Sequence, residues 1–146
     1  MSTAPTSKED CICRVLRDAS RAITNAYDRA LAPSGIRTTQ FTLLSVLARQ
    51  SAATVNQLSE LLDIDQTTTT RNVNVLEEAG LITRVAHHDP RVKLVKLTAK
   101  GKQKRLVAAE CWQSMQAAVT SSVRPDDWEI FKKVLHEIET SCNATE

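Results

Sequence analysis

Three features of the chain predict a mainly α fold, a winged helix-turn-helix of six helices plus a β-hairpin wing. Two capped helical segments follow each other closely between Thr54 and Gly80. A D-P-R turn at Asp89 to Arg91 then feeds an alternating apolar and basic run, and long helical apolar stripes lie on both sides of this block. With 146 residues, 42% of them apolar, the chain has the size of one cooperative domain, 1–146.

In the first helix, Ile12, Val15, Leu16, Ala19, Ile23, Ala26, Tyr27, Ala30 and Leu31 keep a spacing of 3 and 4 until Pro33-Ser34-Gly35 stops it. A second helix is expected behind Thr38 or Thr39 as cap, with Phe41, Leu44, Leu47 and Ala48 on one face. Thr54-Val-Asn-Gln57 is a capping box that opens a third helix through Leu58, Leu61 and Leu62. After Asp63-Ile-Asp65, Asp65 can cap a fourth helix, which Gly80 ends by supplying a left-handed residue.

Leu81 to Ala86 and Val92 to Leu97 read as two strands joined at His87-His88-Asp89-Pro90-Arg91. A fifth helix begins near Thr98 and aligns Ala108, Trp112, Met115, Val119 and Val123 before Arg124-Pro125 breaks it. Asp126-Asp-Trp-Glu129 resembles a capping box for a last helix carrying Trp128, Phe131, Leu135, Ile138 and Cys142. The first helix and the last two are too long to bury their stripes on so small a winged core, so the surplus apolar area predicts a homodimer. The first ten residues read as a loose tail.

Charge is distributed unevenly. Residues 81 to 105 hold eight Lys or Arg against a single acid, Asp89, whereas residues 106 to 146 hold three basic residues against seven acids. Such local clustering is the footprint of a polyanion partner, here double-stranded DNA. The expected division is 33–102 as the DNA-binding region, with 10–32 and 103–146 supplying dimerisation helices from both termini. No stretch approaches the roughly 20 apolar residues that cross a bilayer, and the first ten residues lack the apolar centre of a secretion signal, so no membrane contact and a cytoplasmic location are expected. Cys11, Cys13, Cys111 and Cys142 are too few and too irregular for a secreted disulfide framework.

A helix starting at Asp65 carries Gln66, Thr67, Thr68, Thr70 and Arg71 in its first two turns. Hydroxyls there can bond phosphates or touch thymine methyls, and Arg71 can address guanine O6 and N7. Four successive threonines are poor helix formers, which favours a contact role over a merely polar face; Asn72 and Asn74 are weaker candidates. Arg91, behind a rigid Pro, suits a narrow minor groove. Asp89 cannot favour DNA by its charge and is expected to hold an Arg side chain and shape the turn. Lys93 and Lys96, together with Lys100 and Lys102, are phosphate candidates. The competing assignment is a winged helix that binds protein, which would not need the basic run. No glycine forms a phosphate cradle and no catalytic or zinc-binding spacing occurs, so neither an enzyme nor a cofactor is expected.

The run V-N-Q-L-S-E-L-L-D-I-D-Q-T-T-T-T-R-N-V-N-V-L-E-E-A-G-L-I-T-R, followed by D-P-R-V-K-L-V-K-L-T-A-K-G, resembles the MarR family of bacterial regulators. The family's recurring wing pattern is matched by Asp89, Arg91, Leu97, Thr98 and Gly101, and the resemblance covers nearly the whole chain. It implies a dimeric winged-helix protein, usually a repressor, that binds a pseudo-palindromic operator and lets go when a small molecule or oxidant acts near the dimerisation helices. It also implies a small-molecule effector site where the first, second and fifth helices meet. Tyr27, Phe41, Trp112 and Met115 could line that junction; each could equally be core.

Cys13 lies near a helix N-terminus beside Arg14, a setting that favours the reactive thiolate. The segment C-R-V-L-R-D-A-S-R-A-I-T-N-A-Y is similar to the organic-hydroperoxide-sensing branch of the family, with Cys13 at the reactive position and Ser20, Arg21 and Tyr27 matching. It departs at Arg17 and Thr38, where that branch carries tyrosines. The alternative is a small apolar residue in a dimer interface. Cys11 and Cys13 point about 200° apart on a helix and should not share a metal. A thiol of the partner subunit is the better connection for them, Cys142 first and Cys111 second, with a soft-metal site the remoter use. His87-His88 reads as an exposed polar turn.

Overall fold

The computed structural model describes residues 11–144, and the tail expected over the first ten residues lies outside them. It divides into two compact units, one up to Trp112 and one from Gln113 onward.

In the first unit, α1 (Ile12–Leu31) ends in a short 3-10 turn, Ala32–Ser34, and Gly35 reverses the chain with φ +74°. There follow α2 (Thr38–Gln50), β1 (Ala53–Thr54), α3 (Val55–Leu62), α4 (Gln66–Glu78), β2 (Ile82–Val85), β3 (Leu94–Leu97) and the first half of α5 (Ala99–Ser121). The core is built where the helix stripes meet the sheet: Leu31, Leu43, Leu44, Leu47, Leu58, Val73, Leu76, Leu81, Ile82 and Val95 are almost completely withdrawn from solvent. Burial of such side chains contributes roughly 1.5–3 kcal/mol each.

The sheet has three strands in the order β1-β3-β2, all antiparallel, rather than the expected hairpin alone. β1 pairs Ala53 with Val95 and Thr54 with Leu94, so Thr54 closes the sheet edge and caps α3 together. Both hairpin strands are shorter than expected, because only four residues of each are held by the ladder.

Two caps differ from expectation. The cap of α2 is Arg37, not Thr38 or Thr39; Thr38 donates both its backbone N–H (2.8 Å) and its hydroxyl (2.7 Å) to Asp28 Oδ1, tying α2 to α1. The last helix, α6 (Pro125–Asn143), is capped by Arg124 with Pro125 as its first residue, so Asp126-Asp-Trp-Glu129 lies in its first turn and forms no box. Proline fits there because its missing N–H has no helical partner in any case.

Thr98 joins the wing to α5. Its hydroxyl donates to Gly80 O at 2.7 Å and accepts from the Gly101 N–H at 2.9 Å, while its own N–H reaches Leu81 O at 3.1 Å. Gly101 is required by this packing: a Cβ built there would stand 1.9 Å from Leu81 O.

The second unit holds the rest of α5 and α6. Trp128 and Phe131 stack with centroids 5.6 Å apart, yet no residue of α6 is buried. Among the described residues no helix is long and apolar enough to cross a membrane.

Candidate nucleic-acid interface

The cap of α4 is what fixes its first turn. Asp65 Oδ1 accepts the Thr68 N–H at 2.8 Å. The Thr68 side chain and then its backbone hold the Asp65 carboxyl below its usual range, since hydrogen bonds to the charged form favour it. The four threonines split by face. Thr69 is buried and donates to Asp65 O at 3.0 Å, whereas Thr67, Thr68 and Thr70 are exposed. Thr70 donates its hydroxyl to Gln66 O at 2.7 Å, which leaves its methyl and oxygen lone pairs outward.

With Val73 and Leu76 anchored in the core, Gln66, Thr67, Thr70, Arg71, Asn74, Val75 and Glu78 form the outer stripe of α4. Thr68 lies beside this stripe and does not line it. Between α4 and the hairpin runs a groove lined by Thr54, Asn56, Gln66, Thr70, Asn74, Arg84, Arg91 and Lys93. Gln66 Nε2 donates to Asn56 Oδ1 at 2.5 Å, linking the starts of α3 and α4. Asn56 and Arg84 were not picked out from the sequence as contact candidates. For Asn56 a signal existed, because the Thr54 capping box places it in an exposed first turn of α3.

At the wing tip, Asp89 Oδ1 accepts the Arg91 N–H at 2.9 Å and pairs with Arg91 Nε at 3.4 Å. The Arg91 side chain stays exposed, so the bond shapes the turn without burying the charge. His87 Nδ1 accepts the Asp89 N–H at 3.1 Å, and the His87 and His88 rings lie 4.0 Å apart. Arg84 is held by Glu77 at 2.9 Å.

The basic residues do not act as one group. Strand register pairs Thr83 with Lys96 and Arg84 with Val95, so Lys96 points from the sheet face opposite Arg84 and does not join the groove. Lys100 donates to Ala79 O at 2.8 Å and caps the C-terminus of α4, where a cation is favoured. Among the described residues Arg71 and Lys93 form no ion pair.

The remaining candidates lie elsewhere. Cys11 is the cap residue of α1, and exposed Cys13 receives a contact from Arg17 Nη2 at 3.6 Å. Cys111 is half-buried beside the core, Cys142 is exposed on α6, and all four thiols are free. Trp112 meets Tyr27 and Phe41 with centroids 6.4 and 6.2 Å apart. Burial pushes the Tyr27 phenol up. Met115 follows one turn later on α5, in the second unit.

A model described as the MarR family matches residues 34–91. Among solved structures, the chain is similar to the M. tuberculosis transcriptional regulator MosR in complex with DNA, with 36% identity, 93% of this chain and 98% of that one covered, and a TM-score of 0.81. A mutant E. coli MarR complexed with operator DNA shares the fold at a TM-score of 0.83 and 21% identity, with 92% and 99% covered. The organic hydroperoxide resistance transcriptional regulator of Bacillus subtilis is 33% identical over 94 residues, 64% of each chain.

Proposed function

The chain belongs to the MarR family, and on that premise we propose that it is a cytoplasmic homodimer that binds a pseudo-palindromic operator and represses transcription until an effector releases it. One observation carries this reading: the groove between α4 and the wing, where exposed amides, a hydroxyl and the cations Arg84, Arg91 and Lys93 converge beside Arg71. Arg71 and Lys93, which form no ion pair, and the exposed guanidiniums of Arg84 and Arg91 beside a polar helix face favour a polyanion over a protein partner. Two such heads related by a twofold axis would set their α4 helices in successive major grooves about 34–36 Å apart. The exposed apolar residues Ile12, Val15 and Ile23 on α1, and Ile130, Phe131 and Val134 on α6, support dimerisation, since each stripe still has area to bury.

Two triggers have support. Exposed Cys13, with Arg17 against its sulfur, has the access and the positive neighbour that an oxidant-sensing thiol needs, and Cys142 or Cys111 of the partner subunit is its proposed resolving thiol. An aromatic acid at the Tyr27, Phe41 and Trp112 junction is the second, favoured by the two rings that meet half-buried Trp112. Either need alter the spacing of the heads only slightly, at a coupling of roughly 1–3 kcal/mol. Binding of a selected operator, measured before and after mild peroxide and with aromatic acids, separates them. Loss of peroxide release in Cys13→Ser supports the thiol; equal release in both proteins eliminates it.

A further inference from the structure

The reading edge of α4 extends a full turn beyond Arg71, to Asn74 and Val75. Asn74 lines both the outer stripe and the wing groove, and its side chain makes no hydrogen bond among the described residues. The other amide on this edge is engaged, because Gln66 donates to Asn56. Val75 is 44% exposed although it is a β-branched apolar residue on a helix with a core of its own. Its neighbour Glu78 closes the stripe, and Glu77 is already paired with Arg84. A free amide next to an exposed apolar side chain matches what an A·T pair presents in the major groove: an adenine edge that takes a bidentate amide, and a thymine methyl that takes an apolar contact.

Resting on the DNA-binding reading, we infer that Asn74 and Val75 determine operator specificity by reading an A·T pair adjacent to the G·C pair addressed by Arg71. Arg71 and Asn74 are three residues apart on one face, about 4.5 Å along the helix axis, a separation over which two side chains can reach neighbouring base pairs, which lie about 3.4 Å apart. Each half-site should therefore contain a G·C and an A·T pair side by side, both belonging to α4.

The test is selection of duplexes from a random pool by the full-length wild type, Asn74→Ala and Val75→Ala, followed by titration of single duplexes. The wild type is expected to enrich the G·C and A·T step. Asn74→Ala should keep the G·C and lose the neighbouring preference, its discrimination falling from about 5- to 150-fold to near unity. Val75→Ala should lose less, chiefly the orientation of that pair. Asn74→Asp supplies a gain of function, turning the preference toward cytosine, whose amino group a carboxylate accepts. Unchanged melting temperature confirms that each variant is folded, as exposure of both side chains requires. If all variants return the wild-type consensus, the inference is overturned while DNA binding stands; if the wild type enriches nothing, both fall.

Discussion

The winged head and α6 are written in the same amphipathic code and reach different ends. In the head, Leu43, Leu44, Leu47, Leu58 and Leu76 disappear into one core, and the short sheet locks the hairpin onto it. In α6 nothing is buried, and Ile130, Phe131 and Val134 remain exposed at 61, 43 and 44%. Helical periodicity states that a face will be covered, not by what. The head supplies its own cover; the exposed apolar face of α6 is the one that the proposed dimer would bury.

Breaking the head should have the largest effect. Gly101→Ala sets a methyl against the Leu81 carbonyl. Overpacking against backbone has no easy relief, and a loss of about 3 kcal/mol is expected in denaturant unfolding. Breaking α6 should act differently. Phe131→Glu is expected to leave the head's unfolding intact while weakening self-association by about 2–3 kcal/mol per dimer, read by sedimentation across concentration. If Phe131→Glu instead unfolds the head, the contrast between the two regions is lost.

Smaller effects sharpen the same contrast from within the head. Lys93→Ala should weaken all duplexes alike and lower the slope of log affinity against log salt by about 1, whereas Lys96→Ala, on the opposite sheet face, should change that slope less. The smallest effect is the α4 cap. The folded pKa of Asp65 lies below its unfolded value, so its stabilisation is present above the usual carboxylate range and is lost as pH falls through the folded value. Asp65→Asn should flatten the acid side of the stability profile, measured by melting between about pH 2 and 6.

What was legible in the sequence is what depends on near neighbours. The Thr54 box, the Asp65 cap and the reversal at Gly80 each involve residues a few positions apart, and all three stand where the pattern put them. Contacts across long separations were not legible. β1 exists only because Val95 and Leu94 come back to pair with it. Thr38 looked like a cap until Asp28, ten residues earlier, captured it. Lys93, Lys96, Lys100 and Lys102 read as phosphate candidates in a group, but strand register turns Lys96 away from the groove and the end of α4 claims Lys100. Burial of Thr69 alone among the four threonines follows from the helical period that also turns Val73 and Leu76 inward.

The most direct test of the central claim is titration of a selected duplex at several salt concentrations, with stoichiometry measured in the same complex. Two chains per duplex, with affinity falling steeply and linearly in log salt, is the predicted result. A one-to-one complex, or affinity indifferent to salt, would contradict it.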